Sequence, residues 1–92
     1  MIRSFADKKT EALWQGQRVP AFDGLRERAE RKLALLEAAT ALEDLGGLPG
    51  NRLEALKGNR KGQHSIRIND QWRVCFKWKD GDAYDVEIVD YH

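Results

Sequence analysis

The sequence predicts an α+β fold: N-terminal helices packed on one face of an antiparallel sheet. Three observations carry this reading. Apolar residues recur at helical spacing in the first half of the chain, and they switch to strict alternation in the second half. The glycine-rich stretch Gly46-Gly47-Leu48-Pro49-Gly50-Asn51 separates the two regimes within one domain spanning residues 1–92.

Ile2 to Phe5 reads as a short opening strand, and Ala6 to Gln15 as a short helix that ends before Gly16, with Pro20 beyond the break. The clearest helix comes next. Asp23 is placed to cap it, and Leu25, Ala29, Leu33, Leu36 and Ala39 recur at spacings of three and four, with Arg28, Arg31 and Lys32 on other faces. Thr40 followed by Glu43 has the capping-box pattern, so a break near residue 40 and a further short helix to Leu45 are expected, stopped by Gly46 and Gly47.

Leu53 to Leu56 reads as a brief strand. From Gln63 to Asn69, His64, Ile66 and Ile68 share one face and Ser65 and Arg67 the other, and Asn69-Asp70 marks a turn. Trp72, Val74, Phe76 and Trp78 alternate with Arg73, Cys75, Lys77 and Lys79, and Asp80-Gly81 makes the next hairpin turn. The last strand, Ala83 to about Val89, is expected to put Tyr84, Val86 and Ile88 inward and Asp85, Glu87, Val89 and Tyr91 outward. Such strands form a meander with one apolar face, which the long helix covers.

The chain has 92 residues, 41% hydrophobic and 34% charged, which supports one modest core under a charged surface. Its apolar runs fall far short of the about 20 residues a bilayer span needs, and the N-terminal stretch lacks the apolar segment of a signal peptide. A cytoplasmic protein that does not engage membranes is expected. One cysteine cannot form an internal disulfide, and with two histidines it makes a poor metal set, so no cofactor is expected. Asp80-Gly81-Asp82 reads as a turn rather than a metal motif.

The net charge of +1 conceals an asymmetry. Residues 1–51 balance eight basic against eight acidic side chains. Residues 52–79 carry Arg52, Lys57, Arg60, Lys61, Arg67, Arg73, Lys77 and Lys79 against Glu54 and Asp70, a net +6. Residues 80–92 carry five carboxylates and no Lys or Arg. The local cationic field suits phosphate, although basic and acidic strands also pair in ordinary sheets. Arg67, Arg73, Lys77 and Tyr91 share the parity of the face the helices leave uncovered.

Leu56-Lys57-Gly58, Arg60, Gly62, Ser65-Ile66-Arg67-Ile68, Gln71-Trp72-Arg73, Phe76 and Asp90-Tyr91-His92, with the opening Met1-Ile2-Arg3-Ser4-Phe5, resemble the HigB branch of the RelE-like toxins, also described as plasmid maintenance system killer proteins. The resemblance spans the whole chain. It implies a microbial RNase-like fold with a curved antiparallel sheet, helices on one face and the active site on the other. It also implies the toxin of a type II toxin–antitoxin pair, which enters the A site of the ribosome and cuts messenger RNA there. The implied partner is a helix-turn-helix antitoxin of the HigA type, through which alone the complex reaches operator DNA.

Metal-independent cleavage of RNA needs a group to take the 2′-hydroxyl proton, a group to protonate the leaving 5′-oxygen, and cations for the phosphate in flight. His92 suits either proton-transfer role, since an imidazole titrates near pH ~6.5. Tyr91 suits stacking on a base or donation to phosphate. Asp90 suits orienting its two neighbours or acting as base, although strict alternation puts it on the core side. The residues leave open which of the three is base and which is acid. Arg67 and Arg73 are read as phosphate clamps, because a guanidinium binds two phosphate oxygens at once; the alternative is cross-strand salt bridges to Asp85 or Glu87. Lys57 suits a point-charge contact to phosphate, and Arg60 with Lys61 a contact to ribosomal RNA.

Four further side chains read structurally: His64 as a buried, hydrogen-bonded histidine, Trp72 and Trp78 as core, and Cys75 as incidental on the outer face. Weak or no activity on free RNA is expected, because a site without an evident strong base relies on the ribosome to orient the 2′-hydroxyl. The rival functions are a non-catalytic inhibitor that blocks ribosomes or their assembly with the same basic face, and a charged scaffold for the antitoxin alone.

Overall fold

The computed structural model describes residues 1–90. Helices α1 (Lys8–Trp14), α2 (Arg26–Ala38) and α3 (Leu42–Gly46) precede strands β1 (Glu54–Ala55), β2 (Gln63–Arg67), β3 (Trp72–Lys79) and β4 (Asp82–Asp90). The strands form one antiparallel sheet in the order β1-β2-β3-β4. The α+β reading and the meander therefore hold.

Helix α2 buries the predicted stripe. Ala29, Leu33 and Leu36 have no exposed surface, and Leu25 and Ala39 are buried at its ends. Full burial of each leucine side chain stabilises the fold by about 1.5–3 kcal/mol. The stripe packs on the sheet face carrying Ile66, Val74, Phe76, Val86 and Ile88. Phe22, in a 3₁₀ turn ahead of the helix, meets the edge of Trp72 with ring centroids 5.8 Å apart. Helix α1 is tied to β4 by Thr10, whose buried hydroxyl accepts the Ile88 N–H at 3.0 Å.

The caps differ from expectation. Asp23 does not cap α2, because Gly24, at φ 86, turns the chain between them and Asp23 pairs with Arg18 at 2.7 Å. The capping carboxylate of α3 is Asp44, not Glu43. It accepts the backbone N–H groups of Thr40 and Ala41 at 2.9 and 3.2 Å and the Thr40 hydroxyl at 3.2 Å. These bonds hold its pKa below the ordinary carboxylate value, the Thr40 amide first among the causes.

The hairpin turns follow their sequence signals. Asp80 and Gly81 both have positive φ, 52° and 81°, as a two-residue turn between twisted strands requires. Asn69 Oδ1 accepts the Gln71 and Trp72 N–H groups at 2.9 and 2.8 Å, closing the turn between β2 and β3.

Two departures lie along β4. The ladder pairs Cys75 with Glu87 but Lys77 with Tyr84, so two steps on β3 face three on β4, with Asp85 at φ 52 in the resulting bulge. Alternation therefore reverses across Asp85. Ala83 is buried opposite Trp78, and Tyr84, expected inward, shares the outer face with Lys77. Ile2 to Phe5 makes two isolated parallel bridges to β4, Ile2 to Ala83 and Phe5 to Val86, rather than a regular strand. The bulge lies between the two bridges, where Ser4 Oγ accepts the Asp85 N–H at 2.9 Å and the Ser4 carbonyl accepts that of Val86 at 3.1 Å.

Candidate active site

Directly paired residues of an antiparallel sheet project to the same side, so the register lays out the face that the helices leave uncovered. From one end it reads Arg67, Arg73 and Val89, then Ser65, Cys75 and Glu87, then Gln63, Lys77 and Tyr84. The first rank sets two arginines opposite each other. Like charges in that position are destabilising, so each needs compensation.

Arg73 turns back over the sheet. Its Nε donates to Ser65 Oγ at 2.7 Å and its Nη2 to the Arg52 carbonyl at 2.5 Å, leaving the residue 9% exposed. Arg67 bonds through Nη2 to the carboxylate of Asp70, three residues on in the turn. Neither makes the cross-strand bridge to Asp85 or Glu87, because those acids are engaged elsewhere. Asp85 pairs with Lys77 at 3.3 Å and Glu87 with Arg60 at 3.2 Å.

A third arginine joins them, which inspection of strand parity missed. Arg52 follows the 3₁₀ turn Pro49–Asn51 and has left-handed backbone, φ 43. Its position is fixed by Asn51, fully buried, which donates to the Leu45 carbonyl at 3.1 Å and accepts from Lys32 Nζ of α2 at 2.5 Å. Arg52, Arg67 and Arg73 line an open cleft of about 400 Å³ with Glu54, Asn69 and Asp70. Three guanidiniums against two carboxylates leave the cleft with an excess of cation, and each guanidinium presents a planar fork of donors suited in shape to two oxygens of one anion. The sequence signal for Arg52 was only its place in the basic middle segment.

The other predicted residues are distributed around this cleft. Arg60 reaches over the second rank, donating to Gln63 Oε1 at 3.1 Å and Glu87 Oε1 at 3.2 Å. Lys57 is exposed just ahead of the Gly58–Arg60 turn and is not among the residues lining the cleft. Asp90 pairs across from Trp72, on the parity of the helix-covered side, and its exposed carboxylate accepts from Gln71 Nε2 at 3.0 Å. Tyr91 and His92 lie outside the described residues.

Two structural expectations need correction. Cys75 has outer parity but no exposed surface, because Arg73, Arg60 and Glu87 close over the second rank. Burial pushes its thiol up, and the nearby arginines only partly oppose that, so it is no thiolate nucleophile. His64 is half-buried and stacks on Phe76 with centroids 6.2 Å apart. Its buried Nδ1 has no hydrogen-bond partner among the described residues.

Two further clefts border the site. One, of about 670 Å³, lies at the third rank around Tyr84 and Lys77. It is the larger and holds Lys77 and Lys79 against Asp85, the same excess of one cation as the arginine cleft, whose cations are instead planar guanidiniums. The other, of about 410 Å³, lies between α2 and β2 and shares Arg67. Its Lys32 has a lowered pKa, from burial first and the Arg67 charge second.

The chain matches the model of a RelE-like toxin of the type II toxin–antitoxin system HigB over residues 3–92. It is 41% identical to Toxin HigB-1 of Vibrio cholerae over 87 residues, 90% of each chain. It is 35% identical to Endoribonuclease HigB of Proteus vulgaris over 95 residues, covering both proteins completely. Among solved structures, a chain of the YoeB-YefM complex from Staphylococcus aureus has the same fold, with a TM-score of 0.60, 19% identity, and 100% and 98% of the two chains covered.

Proposed function

Because this chain belongs to the HigB-like family of RelE-like toxins of type II toxin–antitoxin systems, we propose that it is an endoribonuclease that cuts messenger RNA in the ribosomal A site. The observation that carries the reading is the Arg67–Arg73 pair, like charges directly opposite on adjacent strands, with Arg52 beside them. An anion between them converts repulsion into attraction.

The 2′-hydroxyl attacks the adjacent phosphorus and the 5′-oxygen leaves, giving a cyclic phosphate and a new 5′-hydroxyl end. The excess negative charge of the transition state falls on the non-bridging oxygens, where the guanidiniums of Arg67, Arg73 and Arg52 receive it. Asp90, Tyr91 and His92 transfer the protons. Lys57 and Arg60 hold flanking RNA. The cytoplasmic protein is neutralised by a helix-turn-helix antitoxin of the HigA type and reaches operator DNA only through it. Among the described residues no helix is long and apolar enough to cross a membrane.

The second reading, a non-catalytic inhibitor that binds RNA or the ribosome, draws on the same feature, because the guanidiniums of the cleft can hold phosphate without cutting the chain. The test is a toeprint of a translating messenger in a reconstituted system, comparing the full chain with one lacking Tyr91 and His92. New ribosome-dependent 3′ ends with the full chain alone support the nuclease. Stalling with intact messenger, unchanged by the truncation, supports the inhibitor. Robust cleavage of free RNA would contradict dependence on the ribosome.

A further inference from the structure

The bulge in β4 has an outcome that the arginine cleft does not use. Asp85 holds a non-glycine residue at φ 52, a strained conformation that persists only where its surroundings enforce it. Ser4 enforces it here, accepting the Asp85 N–H through Oγ and bonding the Val86 N–H through its carbonyl. Without the extra residue Tyr84 would point to the helix side, as simple alternation demands. With it, Tyr84 stands on the outer face opposite Lys77.

There the half-exposed ring lines the 670 Å³ cleft with Lys77, Lys79, Trp78 and Gly62. Gly62, at φ 92, has open space where a side chain would begin, so backbone forms a low rim. We propose that this cleft binds a nucleobase of single-stranded RNA, stacked on the Tyr84 ring, with Lys77 and Lys79 beside the adjoining phosphates. An aromatic flanked by cations suits RNA, because every base offers a π-face and every nucleotide a charge. A peptide helix would need apolar anchors, which this lining lacks beyond the two rings. The Lys77–Asp85 pair is half-exposed on both sides, so exchanging Asp85 for phosphate costs little.

The cleft lies on the same face as Arg67 and Arg73, four residues along β2 and β3, about 13 Å at strand rise. One strand of RNA can therefore lie along the sheet and engage both. This inference rests on the RNA reading above but is separable from cleavage.

The experiment is fluorescence anisotropy of the full chain with a single-stranded RNA blocked by 2′-O-methyl groups and carrying 2-aminopurine. Tyr84→Ala should weaken binding about fivefold to a hundredfold, the range for one base–aromatic stack, and relieve the 2-aminopurine quenching. Tyr84→Phe should keep both, and the slope of affinity against salt should not change in either variant. Lys79→Gln should instead make that slope shallower by about 0.7. Equal affinity and quenching for Tyr84→Ala and the unaltered chain would overturn the proposal. So would a full chain that binds no RNA at low salt, or a Tyr84→Ala defect confined to antitoxin binding. If the chain binds as described yet leaves messenger intact on ribosomes, the base site stands and the nuclease reading falls.

Discussion

Arg73 is a cation in the body of a sheet, so its role in holding the fold and its proposed role in holding phosphate are linked. Ser65 Oγ accepts from its Nε, and the Arg52 and Ser65 carbonyls accept from its Nη2, so different nitrogens of one guanidinium are engaged. Lysine has a single donor nitrogen and cannot reproduce this spread. Arg73→Lys should therefore lose about 1–3 kcal/mol of stability in urea unfolding and about 10²–10³ in ribosome-dependent cleavage. Arg67 is bonded to an Asp70 whose side chain is 98% exposed, so Arg67→Gln should cost under about 1 kcal/mol while losing cleavage to a similar extent. A pair of variants that lose stability and activity in constant proportion would contradict this division. Asn51→Ala leaves Lys32 and the Leu45 carbonyl without their shared partner and should cost about 1–3 kcal/mol, read from the same unfolding curves. Arg67 and Arg73 were legible in the sequence because two-residue alternation assigns a face to each. Arg52 was not, since its place depends on a left-handed residue and on a buried amide held by a lysine 19 positions earlier.

At the level of elements, the helices and the β2–β3 and β3–β4 hairpins follow local signals: a repeating apolar stripe, the Asn69 turn, and Asp80-Gly81. The errors arise where one residue is added or the chain turns before a helix. Gly24 carries Asp23 away from α2, and Asp85 inserts a residue that reverses the parity of everything on its N-terminal side in β4. Asp85→Gly should keep the bulge and near-native stability, because glycine adopts φ 52 freely. Asp85→Val should destabilise by about 1–2 kcal/mol or more, since a β-branched residue is poorly tolerated there. Thermal unfolding of the two variants checks this, and equal melting temperatures would contradict it. The N-terminal segment is fastened to the same strand by Asp82, whose carboxylate is held below its ordinary 3.8 by the Arg3 hydrogen bond and then by the terminal ammonium. A depressed folded-state pKa gives stability that is complete above the unfolded value and lost as pH falls through the folded one. Asp82→Asn should thus be less stable at neutral pH and have a flatter acid limb below about pH 4.

Over the whole molecule, charge is sorted by surface. The helices bury their apolar stripe against one side of the sheet, and arginines and lysines from the middle of the chain gather on and around the other. The pattern explains how a protein of net charge +1 can present a locally cationic face. Binding to ribosomes should accordingly weaken steeply with added salt, and Arg67→Gln should lessen that dependence. On the proposed function, the arginine cleft, and not positive charge in general, makes the toxin cut RNA. The decisive measurement maps 3′ ends of a translating messenger with Arg67→Gln beside Lys9→Gln, which removes one exposed charge from α1 instead. The new ends should vanish with Arg67→Gln and remain with Lys9→Gln. Equal cleavage by the two proteins would contradict this role of the cleft.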